Sequence, residues 1–101
     1  MAAITLPDAP SIKTTAHANG NAREYQIPIR TNRVTVLIVG QIGAVSFAGV
    51  DGGALGADQF PLVADVPFTF RMSVGTGRTG PRSFFVASAV AATVDVFCEL
   101  D

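Results

Sequence analysis

Residues 75–80 read Gly75-Thr76-Gly77-Arg78-Thr79-Gly80, which fits the G-x-G-x-x-G spacing of a pyrophosphate cradle, and Asp95 follows at about the distance a ribose-binding acid would need. That chemistry requires a helix to open directly after the glycines, so that its N-terminus meets the phosphate. Here Pro81 and then Phe84-Phe85-Val86 follow, which is strand sequence. The segment therefore reads as a flexible connection that offers Arg78 and Arg82 to a partner. His17 is the single histidine and lacks a second His or Cys at metal-ligand spacing. Catalysis of the Ser-His or Cys-His kind would have to rely on this one residue. Cys98 is the single cysteine, so no internal disulfide can form, and its place in an apolar alternation marks it as a small buried hydrophobe. Asp51, Asp58 and Asp65 are too widely spaced for a D-x-D-x-D loop and read as turn formers. Glu99 and Asp101 make an acidic tail, and a chain this short has little room for the cleft that a carboxylate-pair hydrolase needs. The expectation is a non-enzyme with no catalytic, cofactor-binding or metal-ligating residues.

The elements that would carry these residues are constrained by composition. The chain has 101 residues, one domain's worth, of which 49% are hydrophobic and only 15% charged; about 25% charged is usual. A small domain has much surface for its core, so this apolar surplus predicts surface that is covered by copies of itself or by a host assembly. The net charge of -1 argues against nucleic-acid binding through bulk electrostatics. Lys13 is the only lysine, and the remaining cations are arginines, which interfaces favour. The start lacks the basic, then apolar pattern of a signal peptide. Apolar runs such as 36–39 fall far short of the ~20 residues a membrane span needs. No membrane partner is expected.

Along the chain, residues 1–22 read as an extended N-terminal arm, broken by Pro7 and Pro10 and closed by Asn19-Gly20-Asn21, with Ile4, Leu6 and Ile12 as apolar contact points on a neighbour. Residues 23–101 read as a β-sandwich domain. Tyr25 and Ile27 alternate with polar neighbours, and Pro28 marks that strand as an edge. Residues 33–39 form a dense β-branched run that predicts a central strand buried on both sides. Phe68 and Phe70 alternate with Thr69 and Arg71, Phe84 and Val86 share a face, and Val94, Val96, Cys98 and Leu100 face in. Phe97 breaks the outward polarity of the last strand and is a candidate contact residue. Arg30 and Arg33 bracket a polar turn that serves as a hairpin loop, as an arginine-bearing docking tip, or as both. About seven short strands with turns every 8–12 residues predict an all-β, compact antiparallel β-sandwich or small jelly-roll-like barrel.

Tyr25-Gln26-Ile27-Pro28, then Arg33 and an aliphatic strand, a glycine loop, Phe60-Pro61-Leu62-Val63, and a closing Phe85-Val86-Ala87 with Ala92-Thr93-Val94-Asp95-Val96 resemble, in layout, small accessory β-sandwich proteins of tailed phages. These include capsid decoration (cement) proteins and head-fibre bases. The resemblance spans most of residues 23–100. It implies a non-catalytic structural protein of the virion surface, made in the host cytoplasm, often trimeric. Its partners would be copies of itself and the major capsid protein or another virion protein. The same layout leaves open a tail, neck or head-fibre-base address, and a carbohydrate-binding module that would have to use exposed Phe, since Trp is 0 and Tyr 1.

Overall fold

A computed structural model describes residues 3–6, 12–27, 31–71 and 82–100, excepting the side chains of Asn32, Arg82 and Leu100. Within them lie nine strands: β1 (Ile4–Thr5), β2 (Ile12–His17), β3 (Arg23–Ile27), β4 (Thr31–Val39), β5 (Gly43–Ser46), β6 (Phe60–Leu62), β7 (Phe68–Arg71), β8 (Arg82–Ser88) and β9 (Ala92–Leu100). They form two sheets, one of five strands in the order β1-β3-β8-β5-β6 and one of four in the order β2-β9-β4-β7. Every pairing is antiparallel except β1 with β3. The fold is all-β, as the alternation predicts, with nine strands in place of about seven.

The core forms where the inward sets of the two sheets meet. Tyr25, Ile27, Val45, Leu62, Phe84 and Val86 come from the five-stranded sheet, and Val34, Val36, Ile38, Val94, Val96 and Cys98 from the four-stranded one. A period of two puts these residues on single faces of their strands. Stacked Tyr25 and Phe84 lie 5.3 Å apart between ring centroids, and Phe70 meets Phe84 edge-on at 5.5 Å.

Three expectations change. The segment read as an arm supplies two strands to the sheets: β1 lies along β3, and β2 pairs with β9 over its whole length, Ile12 opposite Phe97 through His17 opposite Ala92. Backbone pairing along β9 accounts for this, since β2 buries only His17. Strand β3 is not an edge, because β1 covers it at Tyr25 and Gln26 and the Leu6 N–H donates to the Gln26 carbonyl at 3.0 Å. Strand β4 is central, between β9 and β7, but buried on one face only. Val34, Val36 and Ile38 are buried, whereas Arg33, Thr35 and Leu37 are partly exposed. Two of its outward residues are polar, so the face they line is a surface.

Turns are set by local chemistry. Asp65 adopts φ 62°, a left-handed conformation that Asp tolerates better than most residues. There its carboxylate accepts the Gly40 N–H at 2.9 Å and its own N–H donates to the Ile38 carbonyl at 2.8 Å. Gly43 has no room for a side chain, because a Cβ would lie 2.8 Å from the Ile38 Cδ1 and closer still to the Ala87 carbonyl oxygen.

Candidate interaction surfaces

The residues with chemical potential are absorbed into the architecture. The Asp51 carboxylate accepts from Arg23 Nε and from the Glu24 N–H, both at 3.0 Å, tying the glycine loop to β3. Burial pushes its pKa up, but the Glu24 N–H and the Arg23 guanidinium outweigh this and hold it below the ordinary carboxylate value. Asp58 accepts the Ser46 hydroxyl through its backbone carbonyl at 2.7 Å. His17 is 2% exposed, and its Nε2 lies 2.6 Å from the Tyr25 hydroxyl. The ring stacks near Tyr25, with centroids 5.9 Å apart. Its Nδ1 is buried with no hydrogen-bond partner among the described residues. Among the described residues no three of His, Cys, Asp or Glu come together as a metal site.

The exterior is more informative. Ile12, Ile42, Phe47, Val50, Phe60, Val63, Val66 and Val90 are all more than half exposed. Two regions of the surface bring apolar side chains together, the first around Ile12 with partly exposed Leu37 and Phe97, the second around Phe47 and Phe60. The first is the outer face of the four-stranded sheet. Cross-strand register sets Ile12, Phe97, Thr35 and Thr69 in one row over β2, β9, β4 and β7. A shallow, mainly apolar depression of about 160 Å³ runs between Ile12, Thr35, Leu37, Pro67, Asp95 and Phe97. The next row along the face holds Glu99, Arg33 and Arg71, with Arg33 Nη2 3.3 Å from the Glu99 carboxylate.

The second region is the edge where β6 and β7 end their sheets. Phe60 pairs with Val45, so it points to the interior face of its sheet, yet it is 56% exposed while Val45 is fully buried. Among the described residues the opposing sheet ends at β7, and Phe60 stays more than half exposed. A ladder of rings leads out of the core here: Phe70 meets Phe84, Phe68 lies 6.0 Å from Phe70, and Phe60 lies 5.6 Å from Phe68. Phe47, 53% exposed, meets Phe70 edge-on at 5.2 Å.

The contact residues expected from sequence separate into groups. Ile12, Phe97 and Arg33 come together on the outer face of the four-stranded sheet. Leu6 is in the core and Ile4 packs half-buried against it, so both serve this chain's own interior. Arg82 opens β8 opposite Ile27, its side chain not being described. Arg30 and Arg78 lie outside the described residues. The aromatic edge has no counterpart among the expected sites. Phe47, Phe60 and Phe68 come from three separate segments, and only the pairing of β5 with β6 and the stop at β7 unite them. The one available signal was Phe60 beside Pro61, a large apolar residue on a strand suited to an edge.

No family model matches the chain, and neither a curated protein nor a solved structure matches it.

Proposed function

We propose that this chain is a non-catalytic structural protein of a phage virion, a capsid decoration or cement protein that holds neighbouring shell subunits through its sandwich surfaces. The observation that carries the reading is the set of large apolar side chains that lie more than half exposed on a chain with few charges. Apolar surface of that kind is stabilised by being covered: removing it from water contributes about 25 cal/mol per Å². Many copies on one lattice multiply each small contact through effective concentration. The virion address rests on the layout-level resemblance to tailed-phage accessory sandwiches. Antibody labelling of purified particles tests it, with label expected on the outer shell. Particles free of the chain, or a purified chain that stays monomeric and ignores shells, would overturn it.

A second reading has one observation in its favour. Exposed Phe47 and Phe60 offer rings on which a sugar could stack. A glycan array separates the two readings: clear hits that Phe60→Ser abolishes would establish a carbohydrate-binding module instead.

A further inference from the structure

The described strands form sheets of five and four, and on β6 the inward-facing Phe60 is left more than half exposed. Leu62, two residues from Phe60 and on the same face, is 3% exposed, so the exposure begins between them. Strand β7 is the last of its sheet, and among the described residues nothing pairs with its free edge. Alternate N–H and C=O groups of an edge strand point away from its neighbour and can template another strand. Strand β6 is a poorer template, since Pro61 has no N–H. A strand laid beside β7 would sit over the interior face of the five-stranded sheet, where Phe60 lies open.

Charge on the other face narrows the occupant. Glu99, Arg33 and Arg71 stand in one cross-strand row, with signs minus, plus, plus. Arg33 is paired with Glu99. Arg71 is exposed and, among the described residues, has no ion pair. Like charges directly opposite each other are unfavourable, and opposite charges favourable. A carboxylate next in the row would complete it.

We propose that the free edge of β7 receives one extended strand from a partner protein, with apolar side chains at alternate positions covering Phe60 and Phe47 and an outward carboxylate beside Arg71. Backbone pairing would supply affinity and the alternate side chains specificity, as in other strand additions. The inference rests on the reading of the chain as an assembly module and names the chemistry of its partner.

The test uses the full chain and a blocked octapeptide alternating valine with glutamate, against a second peptide with lysine for glutamate. Amide shifts on titration should concentrate at residues 68–71 and at Phe60, and the lysine peptide should bind about tenfold more weakly, some 1.4 kcal/mol. Arg71→Glu should reverse that preference, and Phe60→Ser should weaken both peptides without lowering the melting temperature. No shift at about 1 mM peptide, or a preference unchanged by Arg71→Glu, would overturn the strand site. A dimer abolished by Phe60→Ser would do so too, by giving the edge to a second copy. A chain that decorates shells yet ignores the peptides loses this inference and keeps the proposed function.

Discussion

His17 is the one residue of β2 whose side chain enters the interior, and it does so as a neutral ring. Burial lowers its pKa from the ordinary 6.5, and the charge of Arg23 lowers it further. Tyr25 contributes no charge, since burial raises its pKa above the ordinary phenol value, and the carboxylate of Asp51 is engaged by Arg23. A depressed histidine pKa means that the unfolded chain binds the proton more readily. The stability due to neutral His17 is therefore complete above about pH 6.5, declines as pH falls through that value, and levels off below the folded pKa. Melting temperature should be flat from pH 7 to 8 and fall towards pH 5, and His17→Gln should flatten that fall; an unchanged slope in the variant would assign it elsewhere. Tyr25→Phe tests the same pair differently. It leaves Nε2 without its partner in a site where Nδ1 already has none among the described residues, and should cost roughly 1–3 kcal/mol in urea unfolding. His17→Leu combined with Tyr25→Phe should cost less than the two changes added, since neither then leaves a buried polar atom behind.

Strands β1 and β2 carry the largest difference between pattern and structure. A sandwich with a free arm would lose partner binding on removal of residues 1–21 and keep its fold. This chain should instead lose its fold, because the cut removes Leu6 and His17 from the interior and strips both β3 and β9 of a neighbour. Loss of the strand signal in far-ultraviolet dichroism is the expected outcome, and a cooperative melt in the truncated chain would restore the arm. Ile12→Ser, by contrast, should leave the melt unchanged, as Ile12 is 67% exposed. Gly43→Ala belongs to this scale too. Its methyl would enter the Ala87 carbonyl and force β5 away from β8, costing roughly 1–3 kcal/mol. What was legible follows from where side chains are buried. Val34-Val36-Ile38, Phe84-Val86 and Val94-Val96-Cys98 print a period of two because one face of each strand is interior. Strand β2 prints none: an edge strand held by its backbone ladder leaves no pattern in side-chain types. Ile12 was legible as an apolar contact point and Phe97 as a break in the outward polarity of its strand, but their meeting needed the β2–β9 register. Pro28 misled, because a parallel pairing as short as β1 with β3 has no sequence signature.

Cys98 reports on the molecule as a whole. It lies on β9 between β2 and β4, 1% exposed, among the residues that join the sheets. Burial pushes its thiol up to about 11, against the smaller opposing effect of a hydrogen bond with Thr31. The thiolate is the reactive form, so the folded chain should resist a disulfide reagent twice over, by access and by protonation. Reaching the sulfur requires the sheets to part, not one loop to lift. Its labelling should then follow global opening, and a stability of about 5 kcal/mol would slow it more than roughly a thousandfold against the unfolded chain. Tyr25→Phe and Gly43→Ala act on separate strands of the five-stranded sheet, β3 and β5, and neither lies on β9, yet both should speed labelling by the factor their urea stabilities predict. Labelling that is fast in the native chain, or that responds to Tyr25→Phe alone, would show that β2 and β9 open separately, and the sandwich would no longer count as one cooperative unit.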